Sequence, residues 1–257
     1  MKVVILCGGL GTRLREETEY RPKPMVPVGN RPILWHIMKH YAAHGHKDFI
    51  LCLGYKGEVI KDYFRNYHWN TSDVTMSLGE NPKVTYHNRH DEEDWTVTMV
   101  DTGAKTMTGG RLKRVLGFIE EEEFLLTYGD GVSNVDVNAA IAHHRNTQAT
   151  VTLTAVSLSA RFGELEISEG LVHSFQEKPK ESQAMINGGF LVMNKSIATL
   201  LPNDDCVLEQ VPLTTLSKQG KLAAYKHSGF WQCMDNIREM ALLNELWASG
   251  NAPWKTW

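Results

Sequence analysis

Lys2-Val-Val-Ile-Leu-Cys-Gly-Gly-Leu-Gly-Thr-Arg13, with Arg21-Pro-Lys-Pro-Met25 close behind it, decides how the rest of this 257-residue chain is read. Val3 to Leu6 is an unbroken apolar run, which fits a strand buried on both faces better than an alternating edge strand. It ends at Gly8-Gly9. Gly8, Gly9 and Gly11 let the backbone approach a bulky ligand with its N–H groups outward, and such a nest of amides is an anion site. Arg13 adds a planar fork of donors suited to phosphate oxygens, and Lys23, confined between Pro22 and Pro24, adds a second positive charge. The stretch Leu6-Cys7-Gly8-Gly9-Leu10-Gly11-Thr12-Arg13 with Lys23 therefore reads as a cradle for a triphosphate, against the alternative of a plain strand-to-helix turn.

Two other glycine motifs fail on residues. A dinucleotide fingerprint counted from Gly9 would need glycine where Leu14 stands, and a P-loop would need a lysine directly after the glycines. The net charge of −3, without long basic runs, argues against a nucleic-acid partner. Cys7, Cys52, Cys206 and Cys233 are scattered with no C-x-x-C, suggesting neither a zinc site nor a disulfide framework, and a reducing cytoplasm suits them. With no long apolar run and no leader pattern, the expectation is a soluble, unprocessed, cytoplasmic protein with no membrane partner.

Beyond the loop, Ile33 to Tyr41 has the spacing of one helix face, with Pro32 as a first-turn residue and Gly45 as the stop. Lys47 to Leu53 is a second buried strand, and Val59 to Tyr67 a second helix. This β-α-β-α order predicts a parallel sheet with right-handed crossovers. His36, His40 and His44 recur along one helix without an acidic partner, so they read as a solvated or partly packed face. Residues 71–101 (Val74 to Leu78, Val84 to Tyr86, Thr96 to Val100) read as an antiparallel β excursion from the core, serving as a lid or a subunit contact. Thr102 to Arg111 is a polar, glycine-rich loop that enters a helix.

Phe124 to Tyr128 is the next buried strand, and it delivers Gly129-Asp130-Gly131 at its carboxyl end, where ligands sit in open α/β sheets. A carboxylate beside a triphosphate repels it unless a cation intervenes, so Asp130 is a candidate Mg²⁺ ligand; a turn or helix-capping role is equally open. Asp235, just ahead of the helix Ile237 to Trp247, invites the same two readings. Residues 161–167 and 171–179 form a predicted hairpin. Lys178 has the charge for a monophosphate, and Glu177 and Asn187 have the hydrogen-bonding capacity for sugar hydroxyls. The tail, Ala252 to Trp257, is expected to dock on the body or on a neighbouring subunit. All 257 residues read as one α/β domain with a mixed, mostly parallel central sheet flanked by helices.

The string Gly8 to Arg13 with Pro22-Lys-Pro24 resembles the sugar-1-phosphate nucleotidyltransferases. Thr108-Gly-Gly-Arg-Leu-Lys-Arg-Val115, Tyr128-Gly-Asp-Gly-Val132, Phe175-Gln-Glu-Lys-Pro179, Ile186-Asn-Gly-Gly-Phe190 and Pro253-Trp-Lys-Thr-Trp257 extend the likeness to the branch of glucose-1-phosphate cytidylyltransferases. Residues 79–93 carry no such likeness. The resemblance implies the nucleotide-diphospho-sugar transferase fold, a homo-oligomer (trimer or hexamer) and the condensation of CTP with α-D-glucose 1-phosphate to CDP-glucose and pyrophosphate. That product would feed deoxysugar and surface polysaccharide (O-antigen) biosynthesis. It implies catalytic roles for Arg13, Lys23 and Asp130, nucleotide contacts from residues 6–13, Lys23, Thr106, Arg111 and Gly129, and sugar-phosphate contacts from Glu177, Lys178 and Asn187. Asp130 and Asp235 match its Mg²⁺ ligands. The alternatives are another phosphorylated acceptor, or a nucleotide sensor without chemistry.

Overall fold

The computed structural model describes residues 1–9, 11–87, 94–157, 164–168, 171–176 and 184–257. Eight strands form one mixed sheet in the order Met185–Asn187, Val151–Ser157, Leu191–Asn194, Glu123–Tyr128, Val3–Leu6, Asp48–Leu53, Thr96–Asp101, with Leu222–His227 also paired to Val151–Ser157. Val3–Leu6 lies at the centre, parallel to Asp48–Leu53 on one side and to Glu123–Tyr128 on the other. Its side chains divide by strand alternation: Val3 and Ile5 enter one apolar cluster and Val4 and Leu6 the other. A strand with two buried faces has no room for a polar position, which is why its sequence is continuous rather than alternating.

The helix Ile33–Ala43 covers the first face, preceded by Pro32 in an extended conformation rather than in the first turn, and closed at Gly45, whose φ is +87°. The second helical stretch breaks at Asn66 into Gly57–Arg65 and Tyr67–Thr71. The helix Thr108–Val115 covers the opposite face through Leu112 and Val115.

The antiparallel excursion holds only in part. Asp73–Ser77 and Lys83–His87 pair as a separate hairpin, exposed throughout. Thr96–Asp101, expected with them, instead extends the main sheet parallel to Asp48–Leu53, in register from Asp48↔Thr96 to Leu53↔Asp101. Its four inner residues, Val97 to Val100, are all half-buried, as suits a sheet edge, and Trp95 just ahead of it packs on Phe49, 5.5 Å between ring centroids. The hairpin Glu164–Ser168 with Leu171–Gln176 forms as read.

The histidine row is packed more than solvated: His36 and His40 are buried. Trp254, fully buried near the chain's end, donates its indole N–H to His36 Nδ1 at 3.3 Å, so His36 carries its proton on Nε2 and donates to the Val28 carbonyl at 2.9 Å. The tail thus docks on its own body, with Trp254 stacked between Phe230 and Trp247. Burial pulls His36 down to about 4 and His40 to about 3.

Both histidines are neutral in the fold and protonate near pH 6.5 when unfolded, so their contribution is complete above pH 6.5 and is lost as pH falls towards 4. Near pH 5 the loss is about 2 kcal/mol for each. Thermal melts between pH 7.5 and 5 are expected to show a falling Tm that flattens in a His36→Asn/His40→Asn variant. An unchanged slope in that variant would place the acid sensitivity elsewhere.

Candidate active site

The chain leaves Val3–Leu6 towards Asp48–Leu53 on one side and returns after Thr96–Asp101 to lay Glu123–Tyr128 on the other. Connections that diverge in opposite directions open a crevice beyond the carboxyl ends of the strands. Gly8, Gly9, Gly11, Thr12 and Arg13 enter it from the first strand, and Gly129 and Asp130 from the second; they line a cavity of about 710 Å³. Thr106, Arg111, Lys23 and Asp235 line it too. Of the loop residues expected to bind nucleotide, Leu6 and Cys7 form its floor, and Leu10 lies outside the described residues.

A short ribbon brings the two aspartates together. Gly131–Ser133 pairs antiparallel with Trp231–Cys233, and beyond the last pair the Met234 N–H donates to the Asp130 carbonyl at 2.9 Å. Asp235 therefore lies beside Asp130 although the two are far apart in the chain. Lys23 enters from a single helical turn, Lys23–Met25, seated by Pro24 against Gly129: a side chain at position 129 would place its Cβ 2.8 Å from Pro24 Cγ. Its ammonium bonds to Asp130 Oδ2 at 2.7 Å and to Asp235 Oδ1, while Arg13 Nη1 reaches Asp235 Oδ2 at 3.2 Å. Burial by itself depresses the Lys23 pKa, but attraction to the two carboxylates outweighs it and raises the group above its ordinary value. Burial likewise pushes Asp235 up, and the Lys23 and Arg13 charges bring it below the usual carboxylate range.

Asp235 does not cap the following helix. Asn236 does, its side chain accepting from the Glu239 N–H at 3.0 Å, and Asp136 caps the helix near the other aspartate, accepting from Ala139 at 2.9 Å. The capping alternative is thereby removed for both; Asp130 does stand in a turn, Gly129-Asp130, and both carboxylates meet the Lys23 ammonium. The pair presents hard oxygen donors converging on one positive centre, here the Lys23 ammonium. That donor chemistry fits Mg²⁺. Among the described residues the other grouping with metal-capable atoms is Cys233, Asp235 and Glu239. Burial, then Asp235 and Glu239, push the Cys233 thiol up to about 12, so it stays protonated. Glu239 accepts from the Asp235 backbone N–H at 2.7 Å and acts as its brace.

Arg111 is held in the protein. Its Nη1 donates to the Leu53 carbonyl at 3.0 Å and the Thr102 hydroxyl at 2.7 Å, and its Nη2 to the Gly8 carbonyl at 3.0 Å. It is thus a strut under the glycine loop, with Nε and one Nη2 hydrogen uncommitted by these bonds. A Cβ at Gly8 would lie 2.0 Å from Arg111 Nη1, so this glycine is a space requirement of the strut. The loop carrying Thr106 is anchored by the Met107 N–H to the Asp204 carbonyl at 2.8 Å. Asn187 bonds through Nδ2 to the Tyr128 hydroxyl at 3.2 Å, beside the cavity. Glu177, Lys178 and the stretch from Arg161 lie outside the described residues. Sequence reasoning missed Tyr128, Thr108 and Glu209, which are joined at this cavity; Tyr128, next to Gly129-Asp130, was the one with a positional signal.

A sequence profile described as Nucleotidyl transferase matches residues 2–210. Over its full length and all of the relative, the chain is 56% identical to glucose-1-phosphate cytidylyltransferase of Salmonella typhi. It is 31% identical to D-glycero-alpha-D-manno-heptose 1-phosphate guanylyltransferase of Campylobacter jejuni over 77% of each chain. Among solved structures, HddC from Yersinia pseudotuberculosis superposes with a TM-score of 0.70 at 24% identity, covering 96% of this chain and 99% of that one.

The glycines of the loop separate by what stands behind them. Gly8→Ala displaces the Arg111 strut and is expected to cost about 1–3 kcal/mol. Gly9→Ala meets nothing within 4 Å and is expected to stay within about 0.5 kcal/mol of the parent. Denaturant unfolding of the two variants checks this, and equal stabilities would contradict the strut.

Proposed function

The chain belongs to the nucleotidyl transferase family, and from that premise we propose that it condenses CTP with α-D-glucose 1-phosphate to give CDP-glucose and pyrophosphate. The observation that carries the choice of substrates is the 56% identity, end to end, with a glucose-1-phosphate cytidylyltransferase. The convergence of Lys23, Asp130 and Asp235 at the glycine loop supports the chemistry.

The sugar phosphate is already ionised near neutral pH. Its oxygen attacks the α-phosphorus of CTP, the bond to the β-phosphate breaks, and pyrophosphate departs with the electron pair. No general base is required; the barrier lies in bringing two polyanions into line, so positioning and charge neutralisation carry the rate. Arg13, its side chain 78% exposed, is free to swing onto the triphosphate while remaining near Asp235. Lys23, now clasped by the two carboxylates, supplies the second charge for departing pyrophosphate. Asp130 and Asp235 would hold Mg²⁺, which when bound supplies the charge that screens the phosphates from those carboxylates. Arg111 keeps the loop amides in place, and its uncommitted N–H groups suit the acceptors O2 and N3 of cytosine. Thr106 and Gly129 complete the nucleotide side, and Lys178, Glu177 and Asn187 the sugar-phosphate side.

A homo-oligomer fits the exposed hairpin: Met76, Leu78 and Tyr86 are exposed there, and a lone two-stranded hairpin is marginal in water. Among the described residues no helix is long and apolar enough to cross a membrane, and we place the enzyme in the cytoplasm, supplying surface polysaccharide synthesis.

The decisive assay crosses four nucleoside triphosphates with a panel of phosphorylated acceptors and reads pyrophosphate. CTP with glucose 1-phosphate is expected to be fastest, chelation of divalent cations to stop it, and Asp130→Asn to lower kcat at least a hundredfold. A faster rate with another acceptor reassigns the sugar pocket, CTP binding without pyrophosphate leaves a sensor, and normal Asp130→Asn turnover removes that carboxylate from the mechanism.

A further inference from the structure

One half-buried chain of hydrogen bonds joins the nucleotide side of the cavity to the sugar side. The Asn187 side-chain oxygen accepts from the Gly189 N–H at 3.0 Å, which fixes the amide so that Nδ2 faces the Tyr128 hydroxyl at 3.2 Å. The Tyr128 oxygen therefore accepts from Asn187 and gives its own proton to Glu209 Oε1 at 2.6 Å. On the other carboxylate oxygen, the Thr108 hydroxyl donates to Glu209 Oε2 at 2.7 Å and accepts from the Leu208 N–H at 2.9 Å. Thr108 and Tyr128 both line the cavity. Each end of the chain is pinned by a backbone N–H, which can only donate, and the middle by a carboxylate, which can only accept. No link can reverse. Burial, reinforced by Glu209, raises the Tyr128 pKa well above its ordinary value, so the phenol keeps its proton.

A carboxylate is a costly choice beside a site for anionic substrates, and among the described residues no salt bridge joins Glu209 to a cation. A neutral glutamine has the same shape and would repel nothing. What glutamate alone provides is two acceptors and no donor. We propose that Glu209 is a positioning residue of the reaction: its carboxylate fixes the polarity and spacing of the Thr108 and Tyr128 hydroxyls at the cavity, and through Tyr128 it aims the Asn187 amide that receives the sugar phosphate. This rests on the reaction proposed above. It couples the nucleotide wall to acceptor recognition, so a change at Thr108 is felt by the sugar phosphate.

The test is steady-state pyrophosphate release with CTP saturating and glucose 1-phosphate varied, for Glu209→Gln, Tyr128→Phe, Thr108→Val and the Glu209→Gln/Thr108→Val double variant. Glu209→Gln and Tyr128→Phe are each expected to raise KM for glucose 1-phosphate at least tenfold, with kcat within threefold and Tm within a few degrees. Thr108→Val is expected to raise the same KM although its hydroxyl reaches Asn187 only through Glu209 and Tyr128, and the double variant to be no worse than Glu209→Gln alone. A structural role only would lower Tm and active fraction and leave KM unmoved. Parental KM in Glu209→Gln, or multiplying losses in the double variant, overturns the inference; should Glu209→Gln fold poorly, parental KM in Tyr128→Phe does so. Pyrophosphate release by the parent separates the two readings: its absence defeats the proposed reaction, its presence with unmoved KM values defeats only the role of Glu209.

Discussion

The structure turns on one ammonium held between two carboxylates. Asp130 and Asp235 lie close together, each about one-third exposed, and two like charges so placed repel. A pair of opposite charges near 3 Å gains roughly 5 kcal/mol at an effective dielectric of 20, before solvent screening lowers it. Lys23 makes that contact with both, at 13% exposure. The same arithmetic explains why a site for polyanions tolerates aspartates at all. Their two negative charges are matched by Lys23 and Arg13 within the protein or, on the proposed reading, by a divalent ion brought with the substrates. Exchange of one cation for the other would free Lys23 to face phosphate, so the ligand-free contact and the proposed catalytic contact are two uses of one charge.

That contact exists because of topology rather than local preference. Lys23 follows the first strand, Asp130 ends the strand laid beside it, and Asp235 arrives through a three-residue ribbon from the last third of the chain. Each lies where strand order reverses around Val3–Leu6. Supports of the same kind surround it: Pro24 fills the space left by Gly129, Glu239 holds the Asp235 backbone, and Arg111 fills the space beside Gly8. Positioning at this level needs rigid neighbours, and buried hydrogen bonds to backbone carbonyls provide them.

How much of this could be read from the sequence follows from the range of the forces involved. Val3–Leu6, Asp48–Leu53 and Glu123–Tyr128 announce themselves because burial on two faces dictates every side chain in them. The loop Gly8 to Arg13 is legible because closely spaced glycines mark backbone that something approaches closely, at Gly8 the Arg111 guanidinium. Thr96–Asp101 is not legible as part of the sheet, since a Thr-Val-Thr-Met-Val run fits a parallel edge as well as a hairpin and its pairing with Asp48–Leu53 is a long-range contact. For Asp235 the two readings were separable only by seeing Asn236 take the cap. Arg111 was legible as a basic residue near the nucleotide but not as a strut, because its acceptors are carbonyl oxygens at Gly8 and Leu53, which leave no trace in composition. Glu209 sits in a turn, with partners from two distant segments, Thr108 and Tyr128, and nothing near it in sequence marks it.

The cavity accordingly has two halves with different kinds of work. Around Arg13, Lys23, Asp130 and Asp235 the interactions are between full charges, and every nucleoside triphosphate and sugar phosphate presents much the same phosphate charge. This half cannot tell one substrate from another; it serves any member of the family. Around Thr108, Tyr128, Glu209 and Asn187 the interactions are directional hydrogen bonds with a single permitted polarity. Such a site rejects a ligand whose donors and acceptors are misplaced, because a buried polar group is then left unpaired. On the proposed reading, discrimination therefore resides in this half, whose one charge, on Glu209, is committed to two hydroxyls, together with the Arg111 fork, and the ionic half supplies the rate. Gly129, between Tyr128 and Asp130, is the single residue that separates them, which ties the Tyr128 hydroxyl and its partners to the geometry of the charged half.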